Sequence, residues 1–368
     1  MLPTPNPPPP ARVKRLEYVD ALRGVAILLV VLVHAGQALT QPGLFATLAR
    51  YGQYGVQLFF VLSAFTLCHS LAKHDHLTAS VYRSFMIRRF FRIAPMYYLA
   101  IPFYFLLSWV SFWALHQSPF TPPDEYSLFK ILCNVGFVHG LIPAATNSIV
   151  PGGWSIGCEF LFYAFFPFLF FGVRRQKAVL VYTTALAVLL VFAIITWSSP
   201  SVAAATQDSF NNTFVYYHIC NQYVCFALGI AYFFYSDRRF SRPLVLVTGI
   251  IAALLLGPCF DWRWGALLTP LLTAYIAVTL LITVRGWDLN GLLIKTGERS
   301  FSIYLCHFVP AWGFRYFFRK VIPPEWQSDW IGAAGFVAIL ALSYFAASLT
   351  TRLIEAPFIQ RGHRMTSQ

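Results

Sequence analysis

The chain has 368 residues, 58% hydrophobic and only 11% charged, with a net charge of +13. That composition excludes a soluble globular protein and leaves no room for a separate soluble domain, because apolar stretches of roughly 17 to 24 residues recur and each suffices to cross a hydrocarbon core about 30 Å thick. No aromatic-interleaved basic module supports nucleic-acid binding, and the positive charge fits inner loops facing an anionic leaflet.

We expect an all-α integral membrane protein of about ten transmembrane helices. They fall near 20–40, 55–72, 93–113, 154–173, 178–197, 216–235, 243–258, 264–284, 300–318 and 330–352. An eleventh apolar stretch, 127–142, is short and contains Asn134, Gly136 and His139, so it reads as a partial or interfacial segment. With ten spans and both the N- and C-termini cytoplasmic, about 21 Lys and Arg lie inside against about 6 outside, as the positive-inside rule requires. Residues 1–16 read as a disordered, Pro-rich cytoplasmic tail, 17–358 as the transmembrane domain and 359–368 as a short cytoplasmic tail. The start lacks the basic n-region and short apolar run of a cleavable signal, so the first span is expected to be retained.

The first span carries Arg23 and His34, eleven positions apart. At about 100° and 1.5 Å per residue the two share a helical face to within roughly 20° and are separated by about 16 Å along the axis. Ionisable groups inside a span are costly and normally face a polar cavity, which points to a site reaching into the bilayer from the Arg23 side. Around the inner end of the second span, Cys68, His69, His74, Asp75 and His76 match no metal-ligand spacing, and no metal is expected. In the inner loop expected at 73–92, Arg89 and Arg92 are three apart. If that loop is helical, their guanidinium groups share a face and can bind a polyphosphate through paired hydrogen bonds, although membrane topology alone also explains basic residues there.

Glu159 is the only carboxylate well inside an expected span, with Asp20 and Glu355 at span ends. It follows Trp154 and Ser155, at a depth comparable with that of His34. A His and a carboxylate at matched depth can form an acid/base pair in which the imidazole takes a proton from an alcohol attacking an activated acyl group; a structural polar pair is the alternative. Further on, His307 lies about 10 Å into its span with Tyr304 on the same face, suited to line a substrate or proton path or to pack against a neighbouring carbonyl. The seven cysteines show no disulfide or metal spacing and read as small apolar fillers. Intramembrane His, Arg and Glu also build transport pathways, so a transporter or flippase of a glycan precursor or small metabolite is the competing class, although no internal repeat is evident.

Taken in order, these blocks resemble the acyltransferase 3 family of integral-membrane acyltransferases over roughly residues 17 to 358. The R-x10-H element falls on Arg23 and His34, and R-x-x-R on Arg89 and Arg92. The stretch Gly55-Val-Gln57-Leu-Phe-Phe-Val-Leu-Ser63-Ala64-Phe65 matches a third block, with Gln57 in place of a common acid and Ala64 in place of a common Gly. Trp154, Ser155, Glu159, Phe162 and Tyr163 match a fourth block, and Ser300, Tyr304, Leu305 and His307 a fifth. Glu355-Ala-Pro357-Phe358 resembles the closing Glu-x-Pro.

The resemblance implies acyl transfer from acyl-CoA, with acetyl-CoA the first expectation, to a hydroxyl of a cell-surface polysaccharide or lipid-linked sugar. It implies His34 as general base with Arg23 or Glu159 setting its electrostatics. Arg89 and Arg92 would hold the coenzyme A phosphates, and Tyr304, His307, Trp154 and Ser155 would contact substrate. The expected partners are acyl-CoA, the hydroxyl acceptor and membrane lipids of a bacterial inner membrane. Since no hydrolase-like extracellular domain is expected, the chain would either complete the transfer or pass the acyl group to a separate downstream transferase.

Overall fold

The computed structural model describes residues 16–39, 43–116, 122, 125–176, 184, 188, 213–259, 265–323 and 326–367. Regular structure among the described residues is entirely helical. Among the described residues, seven helical segments are long and apolar enough to cross a membrane: Glu17–Gly36, Leu44–Leu71, Ala79–Leu115, Gly153–Arg174, Arg242–Cys259, Gly265–Val284 and Asp329–Thr366. The span expected at 178–197 and the tail at 1–15 lie outside the described residues, apart from Thr184 and Val188. The expected segment 216–235 forms a 17-residue helix, Ile219–Tyr235, preceded by the short Thr213–Tyr217.

Helix α1 (Glu17–Gly36) is the hub. Short α2 (Leu44–Arg50) and a 3-10 turn lead into α3 (Gly55–Leu71), which packs on α1. Helix α4 (Ala79–Leu115) starts where Thr78 accepts a hydrogen bond from Val81 N and runs for 37 residues, about 55 Å at 1.5 Å per residue. The loop expected at 73–92 is therefore helical from residue 79, and Arg89 and Arg92 project from the same rod as the apolar span. Nothing between 79 and 92 breaks a helix. In 127–142 the structure has only α5 (Leu128–Val135) and a 3-10 turn at His139–Leu141, too short to cross.

Helix α6 (Gly153–Gln176) carries Glu159. After it come α7 (Thr213–Tyr217), α8 (Ile219–Tyr235), α9 (Arg242–Cys259) and α10 (Gly265–Val284), with α8 packed on α3 and α9 on α10. Helix α11 (Gly291–Glu298) crosses α1 at backbone contact. A Cβ on Gly24 would overlap the Leu293 carbonyl oxygen, and one on Gly297 the Asp20 carbonyl oxygen. Glycine at both positions is what lets the two helices approach so closely.

The span expected at 300–318 is divided into α12 (Ser300–Cys306) and α13 (Phe308–Val321), with His307 at the junction. Pro310 explains the break. It has no N–H to give the Cys306 carbonyl four residues earlier, so the ladder loses a rung there. Helix α14 (Asp329–Thr350) passes through a π-helical turn at Thr351–Glu355 into α15 (Ala356–Thr366). The stretch read as a tail from 359 is thus helical to Thr366 and packs on α4, where Phe91 stacks on Phe358 and Arg88 donates to Thr366 Oγ1 at 3.3 Å. Large apolar side chains on α9 and α14, among them Leu254 at 72% and Phe345 at 75% exposure, have no protein cover, as a lipid-facing surface requires.

Candidate active site

Two cavities open at the two ends of α1. The first, about 680 Å³ including its mouth, is lined by Arg23 from α1, Ser63 from α3, Arg89 and Arg92 from α4, Ser155 and Glu159 from α6, and Tyr304 from α12. Six sequence-predicted residues converge here. Arg89 and Arg92 lie one turn apart on one face of α4, which is why both reach the cavity while Arg88 turns to α15. Arg23 is held by Asp20 Oδ1 at 3.1 Å and Thr66 Oγ1, to which it donates, at 3.0 Å. Arg89 rests over the rings of Phe85 and Tyr163, 5.4 and 5.8 Å from their centroids. Its Nε is buried without a hydrogen-bond partner.

Glu159 is the carboxylate of this cavity. Its Oε1 accepts hydrogen bonds from Ser63 Oγ at 2.5 Å and from Tyr163 Oη, its neighbour one turn along α6. It also lies near enough to Arg23 and Arg89 to interact electrostatically. Three arginines around one carboxylate leave the cavity with a positive excess, an environment that favours a polyanionic ligand. Gln57 stands apart: fully buried, it donates its amide to Tyr216 Oη at 2.8 Å and Gln222 Oε1 at 3.1 Å.

The second cavity, about 540 Å³, is lined by His34, Gln37, Pro151, Phe308, Ala311, Trp312 and Arg315. His34 Nδ1 lies 3.1 Å from Gln37 Oε1, and its ring meets that of His307, with centroids 5.0 Å apart. His307 Nδ1 is 2.7 Å from the Tyr304 carbonyl oxygen and 3.3 Å from that of Ile303. Carbonyls only accept, so Nδ1 carries the proton and Nε2 keeps a lone pair. That Nε2 is buried without a partner. If Gln37 likewise accepts from His34 Nδ1–H, His34 also presents a basic Nε2, and two unshared imidazole nitrogens occupy one corner.

His34 and Glu159 therefore line different cavities, and Glu159 takes its hydrogen bonds from Ser63 and Tyr163 rather than from His34. Matched depth on two helices placed them at one level, but the bearing of each helix around the bundle, which depth does not specify, sets them apart. A thin wall separates the cavities. Tyr304 Oη donates to the Gly152 carbonyl oxygen at 2.9 Å and accepts from Ser155 Oγ at 2.8 Å, while Phe308 packs beyond it. Gly152 has φ +71°, and a Cβ there would meet Tyr304 Oη and Phe308, so only glycine fits the wall. Trp154 lines neither cavity. It stacks on Tyr217, with centroids 4.1 Å apart, and meets Phe60 edge-on, holding the start of α6 in the core.

Four residues around the site went unread as such in the sequence. Ser63 and Thr66, one turn apart on α3, hold Glu159 and Arg23; Ser63 stands within the third family block, and the signal at Thr66 is polarity on a largely apolar helix. His139 donates from Nε2 to the Gly153 carbonyl oxygen at 2.9 Å, bracing the start of α6. Arg315 lines the His34 cavity, and its signal is a cation eight residues, about two turns, beyond His307.

Comparison with known proteins bears on this geometry. A family model described as an acyltransferase domain, Acyl_transf_3, matches residues 16–349. The chain is also similar to the acyltransferase MdmB of Streptomyces mycarofaciens, 27% identical over 384 residues that cover 95% of this chain and 92% of that protein. No solved structure matches. With a family match running from the start of α1 to the end of α14, the chain belongs to the Acyl_transf_3 acyltransferase family and is a multi-pass membrane acyltransferase.

Proposed function

We propose that the protein transfers an acyl group, acetyl first among the candidates, from acyl-CoA to a hydroxyl of a cell-surface polysaccharide or lipid-linked sugar. The carrying observation is the pair of cavities at opposite ends of α1, one rich in arginine and the other lined by His34, whose ring meets that of buried His307. Coenzyme A enters the first cavity from the cytoplasm of a bacterial inner membrane, in a topology of about ten spans with both ends inside. Its phosphates meet Arg89 and Arg92, whose side chains line the cavity. Arg23 and Glu159 line the path of the pantetheine arm. The acyl thioester reaches His34 by displacing the Tyr304 side of the wall.

At His34 the acceptor hydroxyl gives its proton to Nε2 as its oxygen attacks the thioester carbonyl. The tetrahedral intermediate collapses by breaking the carbon–sulfur bond, and the leaving thiolate takes the proton from the imidazolium. Gln37 fixes the tautomer, and the His307 ring, its centroid 5.0 Å away, lies beside the developing cation. No metal enters this chemistry. Whether the acyl group leaves on a sugar directly or through a separate downstream transferase follows from which acceptor the purified protein labels.

The test is turnover of acetyl-CoA by purified protein in nanodiscs with a glycan-lipid extract, and mass spectrometry of the extract. Release of coenzyme A that depends on the extract, with an added acetyl mass on a sugar, supports the reading. Neither turnover nor binding of coenzyme A would overturn it and return weight to transport of a glycan precursor.

A further inference from the structure

The face of α13 that lines the His34 cavity carries more charge than the proposed chemistry needs. Phe308, Ala311, Arg315 and Arg319 follow one another at helical spacing on that face, with Trp312 beside them. Arg319 donates to the Gln37 carbonyl oxygen at 3.1 Å, while Lys320 sits over the Tyr316 ring at 4.6 Å and donates to its hydroxyl at 2.6 Å. Trp312 and Tyr316 stack with centroids 5.5 Å apart. Among the described residues no salt bridge involves Arg315, Arg319 or Lys320. These three are half of the about six cations that the positive-inside pattern leaves at this end of the bundle. Topology does not account for them, since it disfavours cations here.

Arg315 is half-buried, borders the cavity, and among the described residues has Arg319 rather than a carboxylate as its charged neighbour. A cation held partly out of water without a counter-charge is costly, and the cost is recovered when an anion binds. Beside it the Trp312 side chain, stacked on Tyr316, also lines the space, as does His34. An anchor for an anion, a flat surface for a ring and a base for a hydroxyl are thus arranged around a single cavity.

We propose that this cavity is an acceptor subsite for an anionic sugar, one bearing a carboxylate or a phosphate. Arg315 holds the anion, Arg319 and Lys320 supply the surrounding positive field, and Trp312 carries the sugar ring so that a hydroxyl meets His34. This deepens the acyl-transfer reading by naming the acceptor's chemical class, and it rests on that reading only in assigning the acceptor to this cavity.

The experiment is a binding titration without coenzyme A, so it can fail while acetyl-CoA turnover succeeds. Purified protein in phosphatidylcholine nanodiscs is titrated with glucuronate, glucose 1-phosphate and glucose, and tryptophan fluorescence is read. The expected result is a saturable response to both anionic sugars, about tenfold or more weaker for glucose. Arg315→Gln should weaken the anionic sugars toward the level of glucose, and Arg315→Lys should restore part of the difference, which guards against a misfolded variant. Equal affinity for glucose, or unchanged affinity in Arg315→Gln, would overturn the proposal. A repeat in phosphatidylglycerol nanodiscs separates the two sources of anion. Retained affinity supports the acceptor assignment, whereas complete competition would assign the arginines to a lipid headgroup and overturn it.

Discussion

Replacing Arg89 by Gln separates donor binding from the generic role of positive charge beside a membrane span. In the absence of ligand, Arg89 gains two ring contacts, at 5.4 and 5.8 Å, and an electrostatic interaction with Glu159. At about 0.5–2 kcal/mol for each ring contact of a partly desolvated guanidinium, the substitution is moderate for stability. Its proposed bond to a coenzyme A phosphate is a charge-assisted hydrogen bond made by a buried donor, worth about 1.5–3 kcal/mol. Binding of coenzyme A, measured by calorimetry in nanodiscs, should therefore weaken by a factor of about 10 to 150. Arg88 is the control, because its guanidinium leaves the cavity face and donates to Thr366 Oγ1 at 3.3 Å. Arg88→Gln should leave coenzyme A affinity within about twofold, the scale of a weak surface change. If topology or lipid contact were the whole role of this basic run, both substitutions would act alike. Equal weakening by the two, or none by either, would refute the assignment.

The α1–α11 crossing should not tolerate Gly297→Val, whose Cβ would overlap the Asp20 carbonyl oxygen. A loss of about 1–3 kcal/mol or more is expected in detergent melting, with weakened coenzyme A binding because Asp20 also holds Arg23. A variant that melts and binds like wild type would contradict the crossing. Glu355, only 5% exposed, accepts from Ser302 Oγ at 2.6 Å. Glu355→Ala should cost about 1–3 kcal/mol and Glu355→Gln clearly less, since Gln keeps an acceptor; the reverse ranking in thermal melts would count against that network. Ser63→Ala and Tyr163→Phe each remove a donor from the same Glu159 oxygen. A double-mutant cycle on stability should give a coupling of about 0.5–3 kcal/mol, and simple additivity would deny the shared acceptor.

The helical class was legible, and so was the shared face of Arg89 and Arg92, because spacing within a helix carries angular information. Arg89 and Arg92 at i and i+3 must share a face wherever α4 lies. Relations between helices were not legible. Glu159 and His34 share a level but not a cavity, because a single sequence encodes depth without the bearing of one helix relative to another. The ring contact between His34 and His307 escaped for the same reason. Local breaks were partly within reach. Pro310 marks the junction at His307, yet Pro95 and Pro102 sit inside an unbroken α4, so the residue type alone does not decide where a helix divides. The family resemblance assigned Trp154 to substrate, whereas in the structure its large ring at the start of α6 is buried against Tyr217 and Phe60.

The central claim is that His34 performs the chemistry, and it is tested most directly by comparing wild type with His34→Ala in acetyl-CoA turnover with a glycan-lipid extract, alongside coenzyme A affinity. His34 lies at the opposite end of α1 from the arginine cavity, so affinity for coenzyme A should be unchanged while turnover falls by about 10² to 10⁴, the contribution of a positioned general base. A His34→Ala protein that binds coenzyme A and turns over acetyl-CoA at the wild-type rate would contradict the account.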